Sequence, residues 1–139
     1  MKIIGFEEHY TLPAIAEANL NSPRKVFDVA RNAGGWPPPG IEDLGEGRIA
    51  AMDAAGIDVQ ILSNVPGVEA VEIPQAVELA RQANDAVVAA ATEHPDRFLG
   101  FATLPMRDPQ AAAAELERAV RDHGFVGALI NGQDRKSVV

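Results

Sequence analysis

The 139-residue sequence predicts a parallel α/β fold, and three observations carry that reading. Four short apolar stretches read as strands: Lys2–Phe6, Ile57–Ser63, Phe98–Leu104 and Val126–Ile130. Each connection between them is long enough for a helical crossover, and alternation of this kind implies a parallel sheet with helices outside. The last two stretches, FLGFATL and VGALI, are nearly continuous in apolar residues, which suits strands buried on both faces. With 47% apolar residues the chain has material for a core and too much of it for a disordered segment.

The elements follow in order. Lys2–Phe6 is the first strand. Thr11–Ala18 predicts a short helix, with Pro13 in its first turn and Thr11 as its cap. Asn19–Gly40 holds Gly34-Gly35, Trp36 and three prolines, which neither a helix nor a central strand accommodates. It predicts a long excursion with one helical turn at Val26–Arg31, either a functional lid or a variable surface insertion. Ile41–Ala55 returns to helical spacing, with Leu44, Ile49, Met52 and Ala55 in one stripe and Glu42, Asp43, Glu46 and Arg48 outside it. Gly56 ends that helix. Ile73–Glu93 is the longest helix, with Val77, Leu79, Ala80, Ala83, Val87, Val88 and Ala91 apolar, and His94-Pro95 closes it. Asp108-Pro109 opens a helix over Pro109–Arg121, and Gly124 terminates it.

Two architectures fit this order, an open doubly wound sheet or part of a (β/α)8 barrel. No G-x-G-x-x-G follows the first strand, so a dinucleotide fold has no support. The chemistry-bearing motif is Glu7-Glu8-His9 at the end of that strand. Side chains alternate along a strand, so Glu7 and His9 are expected to face one side together and Glu8 the other. A carboxylate and an imidazole placed in this way suit a shared divalent metal, and a ligand pair at the C-terminal end of strand one suits a barrel. A surface turn that happens to hold Glu-Glu-His is the plain alternative.

Charge and composition narrow the partners. The net charge of −8, with no basic cluster, argues against nucleic acid and anionic membrane. The absence of cysteine excludes disulfides and thiolate metal sites. No apolar run has the length of a membrane span or the form of a signal peptide, and a soluble cytoplasmic protein is expected. His94 and His123 each read as residues at a helix C-terminus, favoured there by the helix dipole.

Phe6–Tyr10, FEEHY, resembles the opening of the amidohydrolase-related decarboxylase family, the group of gamma-resorcylate and 2,3-dihydroxybenzoate decarboxylases. Asp43–Ser63, Ala80–Asn84, His94–Pro105 and Gly124–Gly132 continue the resemblance in order, so it covers nearly the whole chain up to Gln133. It implies a metal-dependent (β/α)8 TIM barrel that removes carbon dioxide from a small aromatic carboxylic acid without oxidation. Glu7 and His9 match the two metal ligands of that family's E-x-H motif, for zinc or manganese. Glutamate at the first of these positions resembles the resorcylate-type branch. The resemblance also implies a homo-oligomeric parent enzyme, with a further histidine ligand and a catalytic aspartate on later strands. Ser63 and Asn131 follow strands two and four and are candidate substrate contacts, each otherwise a turn former. Arg24 and Trp36 are weaker candidates.

The expectation is therefore the N-terminal half of an amidohydrolase-like TIM barrel, truncated after its fourth strand, with residues 1–133 as the partial barrel domain. Asp134–Val139 (DRKSVV) does not continue the family pattern and matches the translation of a common sequencing-library adapter. No catalytic residue is then expected within the chain. The isolated chain is expected to be inactive and oligomeric or aggregation-prone, because open strand edges and apolar strand faces would be left uncovered. A hydrolase on the same scaffold and a non-catalytic partial barrel are the other readings.

Overall fold

In the computed structural model, which describes residues 1–24 and 37–130, four strands form one parallel sheet in the order β1-β2-β3-β4. The strands are β1 (Ile4–Tyr10), β2 (Val59–Asn64), β3 (Phe98–Ala102) and β4 (Gly127–Ala128), and the helices are α1 (Pro13–Asn21), α2 (Glu46–Ala55), α3 (Ile73–Glu93) and α4 (Pro109–Arg121). Neighbouring strands run parallel because a helix carries the chain back between them. The consecutive strand order is that of the first half of a (β/α)8 barrel.

Register assigns each strand residue to a face. Gln60 pairs with Phe98, Ile61 with Leu99 and Leu62 with Gly100. The face carrying Leu62, Asn64, Phe98 and Ala102 is buried. On it Gly100 has no room for a side chain, since an added Cβ would lie 2.8 Å from the Phe125 ring and 2.9 Å from Val87 Cγ1. The other, inner face is unevenly covered: Val59, Ile61 and Ser63 of β2 are buried, whereas Ile4 is 52% exposed, Phe6 70% and Leu99 36%. Phe6 and Phe101 meet there edge to face, with ring centroids 5.1 Å apart.

Helices α3 and α4 have the predicted bounds. The Asp108 carboxylate accepts the Ala111 N–H at 3.0 Å, which caps α4 as expected. Gly56, at φ 71°, ends α2 by donating its N–H to the carbonyls of Met52 and Asp53. On α3 the buried residues are Ala76, Leu79, Ala80, Ala83, Asn84, Val87 and Ala90. Asn84 is the polar member, and it grips β3 through Thr103, whose N–H it accepts at 2.8 Å and whose carbonyl it meets with Nδ2 at 3.0 Å. Nδ2 also donates to Glu115 of α4 at 2.7 Å.

Several expectations are corrected. Thr11 does not cap α1: the N-cap is Leu12, and Thr11 is fully buried with its N–H donated to the Ile41 carbonyl at 3.3 Å. Helix α2 starts at Glu46 rather than Ile41, because the Asp43 carboxylate accepts the Gly45 N–H at 2.7 Å and holds residues 43–45 in a turn. Ala55 lies outside the buried stripe of α2. Arg48, expected on the solvent side, folds inward as described below. Strand β3 is buried on one face rather than two, and β4 is two half-buried residues flanked by Val126 and Ile130, which are 50% and 55% exposed. Position in the sheet accounts for both: β4 is the edge strand, with no further strand beyond it among the described residues, and the inner side of β3 is only partly covered. The helical turn placed at Val26–Arg31, Trp36, Asn131 and the tail Asp134–Val139 lie outside the described residues.

Candidate metal centre at the end of the first strand

The end of β1 departs from regular alternation. Gly5 pairs with Gln60 and Glu8 with Leu62, so Phe6 and Glu7 together stand opposite the single residue Ile61. This is a β-bulge, and it changes which face the following residues take. Without the extra residue, Glu7 would stand opposite Leu62 and His9 opposite Asn64, both on the helix-covered face. With it, His9 pairs with Ser63 and Tyr10 with Asn64. Successive β1 side chains from Glu8 onward are thereby switched to the opposite face. His9 joins the inner face, and Glu8 and Tyr10 join the covered one. The opposition of Glu8 and His9 is as the spacing predicts. The position of Glu7 is set by the bulge instead of by alternation.

The bulge carries strain. Glu7 has φ 65°, in the left-handed region, and it is the one non-glycine residue there among the described residues. That conformation costs an L-residue about 1–2 kcal/mol. Such residues persist where the surroundings over-determine them, and they cluster at functional sites. Glu7 and His9 are both exposed at this end of the sheet. His9 Nδ1 lies 3.0 Å from Ser63 Oγ. With Nδ1–H donated to that oxygen, Nε2 keeps the lone pair that a metal would take.

Ser63 is fully buried, and its hydroxyl is engaged by the His9 ring. The structure therefore places it beneath the histidine. Arg24 is remote, at the end of α1, 3.8 Å from Glu72. His94 caps α3 and stacks edge to face on Phe98, and His123 follows α4, 2.8 Å from Arg118, so neither reaches β1. Among the described residues no three His, Asp or Glu side chains group as a metal site. One carboxylate and one imidazole are donor types that suit a divalent ion, and they fall short of the three or four protein ligands such sites use.

Sequence reasoning missed what lies behind this strand end. The half-buried Arg48 of α2 donates from Nη2 to the His9 carbonyl at 2.8 Å, from Nη1 to Gln60 Oε1 at 3.0 Å and from Nε to the Asp43 carbonyl at 2.7 Å. Gln60 Nε2 in turn donates to Glu8 Oε2 at 3.1 Å. Burial lowers the Arg48 pKa, and the carboxylates of Glu8 and Asp43 oppose that shift. Arg48 sits among polar residues of the α2 entry and gives no periodic signal. Tyr10 anchors the same strand end from below: its hydroxyl donates to the Ala83 carbonyl of α3 at 2.8 Å. Burial pushes the Tyr10 phenol well above the ordinary tyrosine range, with a bond to the Thr103 side chain acting the other way.

Comparison with known proteins places the chain in a family. Gamma-resorcylate decarboxylase of Polaromonas sp. (strain JS666) is 43% identical, over 98% of this chain and 41% of its own length. The solved 2,6-dihydroxybenzoate decarboxylase from Rhizobium is 38% identical with a TM-score of 0.74, over 95% of this chain and 39% of that one. The 5-carboxyvanillate decarboxylase of Novosphingobium aromaticivorans, solved with manganese and 4-hydroxy-3-methoxy-5-nitrobenzoic acid, is 34% identical with a TM-score of 0.82, over 94% and 41% of the two chains. The chain thus spans about two fifths of the length of the relatives it matches. With the amidohydrolase family profile matching residues 9–138 and these identities over nearly its whole length, the chain belongs to the amidohydrolase family, alongside decarboxylases of aromatic acids.

Proposed function

We propose that the chain supplies the first half of a metal-dependent, non-oxidative carboxy-lyase acting on a hydroxybenzoate-like acid. The observation that carries this reading is the bulged end of β1, which brings His9 onto the inner face beside Ser63 with exposed Glu7 next to it. Glu7 and His9 would hold the divalent ion, and the manganese in two related structures favours manganese over zinc. When bound, the ion supplies Lewis-acid polarisation and a template for the substrate carboxylate and its neighbouring hydroxyl. Ser63 fixes the His9 ring through Nδ1 and so aims Nε2. Its buried hydroxyl supports this role in place of direct substrate contact. Asn131, just beyond β4, remains the proposed substrate contact on this half. In the reaction the ring carbon gains a proton, the bond to the carboxylate carbon breaks and carbon dioxide leaves, with no net oxidation.

Two measurements test this. The first joins residues 1–133 to the last three fifths of the Polaromonas relative and assays carbon dioxide release from 2,6-dihydroxybenzoate with Mn²⁺. The expected result is release that Glu7→Gln and His9→Ala each reduce by about 100-fold or more, as loss of a metal ligand would. A folded chimera that hydrolyses lactones or amides, and releases no carbon dioxide, would assign the hydrolase reading. The second adds Mn²⁺, 2,6-dihydroxybenzoate or both to the 139-residue chain alone. No turnover and only weak, Glu7-dependent metal binding are expected from a two-ligand site. Tight stoichiometric binding would contradict the proposal that ligands from another half are required.

A further inference from the structure

We propose that Arg48, acting with Gln60 and Glu8, is the clamp that holds the β1 bulge and thereby decides on which face His9 stands. These are positioning residues: none lies on the inner face, and each acts through the backbone or side chains of β1. The assignment of a metal to Glu7 and His9 is the reading on which its functional meaning rests, but the clamp itself is a statement about the strand.

The geometry is specific to a guanidinium. One planar group meets four acceptors from three segments: the Asp43 carbonyl at 2.7 Å, Gln60 Oε1 at 3.0 Å, the His9 carbonyl at 2.8 Å and, at 3.4 Å, the Ile41 carbonyl. The Ile41 carbonyl also accepts the Thr11 N–H at 3.3 Å, so the turn before α2 is tied to the residues just after the bulge. Glu8 folds back over Gly5, where its Oε1 lies 2.5 Å from the place a Cβ would occupy. From there Oε2 accepts from Gln60 Nε2 at 3.1 Å. The bulge has lost its regular pairing between Gly5 and Glu8, and these side-chain bonds span that interval. The charge balance is consistent, one guanidinium facing the carboxylates of Glu8 and Asp43. A lysine offers a point charge without the fork and cannot meet these acceptors together.

If the clamp holds the bulge, removing it lets β1 relax toward regular pairing. The test is hydrogen–deuterium exchange by mass spectrometry on the metal-free 139-residue chain, comparing wild type with Arg48→Met, Arg48→Lys and Glu8→Gln. Exchange across residues 5–10 is expected to rise about tenfold in Arg48→Met, somewhat less in Arg48→Lys and least in Glu8→Gln. Peptides from β3 should be unchanged. Residues 5–10 exchanging at the wild-type rate in both Arg48 variants would overturn the proposal. So would a rise across β3 in all three variants, which would make Arg48 a determinant of the whole fold. A second arm reads Mn²⁺ binding by electron paramagnetic resonance. An affinity about tenfold weaker in Arg48→Met at an unchanged melting temperature is expected, and an affinity equal to wild type overturns the link to His9. If Glu7→Gln binds Mn²⁺ as wild type does, the metal reading fails, and hydrogen exchange still decides the clamp.

Discussion

The two faces of the sheet share one backbone and have unequal surroundings. On the covered face Tyr10, Leu62, Phe98 and Ala102 are buried under the helices, and Gly100 leaves no space even for a methyl group. On the inner face the β2 residues Val59, Ile61 and Ser63 are buried, but Ile4, Phe6 and Leu99 beside them are exposed, and so are Glu7 and His9 at the end of β1. Burial of apolar area is what stabilises a domain. The covered face therefore holds most of the fold, while the exposed end of β1 carries the strained Glu7.

That contrast is open to direct attack. The largest effect is expected from Leu62→Ala, which empties a fully buried position and should cost about 2–5 kcal/mol in a denaturant titration. If it costs no more than a change on the inner face, the division of labour is wrong. Next, Asn84→Ala strips Thr103 of both its backbone bonds to α3 and Glu115 of one bond, and a loss of about 2–4 kcal/mol is expected from the same titration. Gly100→Ala should follow at about 1–3 kcal/mol, because the new methyl group meets Phe125 and Val87. At the small end, Phe6→Ala loses one edge-to-face contact on the inner face and should cost about 1 kcal/mol or less.

A pH series sharpens the same comparison. The Tyr10 phenol is held neutral in the folded chain by burial, so its pKa is raised above the unfolded value of about 10. The folded state then keeps its proton where the unfolded state loses it. Stability from this group is fully present below about pH 10 and declines as the pH rises beyond it. Melting temperatures measured from pH 8 to 11 should fall less steeply in Tyr10→Phe than in wild type. Equal slopes would show that Tyr10 does not bear the alkaline sensitivity of the covered face.

Much of the fold was legible in local sequence. The end of α3 and both bounds of α4 follow from His94-Pro95, Asp108-Pro109 and Gly124, each acting within a turn or two of itself. The end of α2 at Gly56 follows in the same way. What failed was whatever depends on a distant neighbour. Thr11 reads as a cap yet is buried against the turn before α2, and Val126–Ile130 reads as a buried strand although β4 is a half-buried edge strand among the described residues. At the candidate site, residue type and spacing single out Glu7 and His9 and put them on one face by simple alternation. The bulge, not alternation, sets where each of them stands.

Sequence by itself determined the parallel α/β order, the helix ends and the presence of a carboxylate–imidazole pair at the end of the first strand. These depend on propensity, capping chemistry and residue identity, all local quantities. Tertiary structure alone decided the face on which His9 stands. One extra residue between Gly5 and Glu8 reverses the parity of β1, pairing His9 with buried Ser63. Arg48 and Gln60, 39 residues or more away in the chain, meet the bulged segment only once α2 and β2 have packed against it. A bulge is a relation between two strands, and no property of β1 read in isolation contains it.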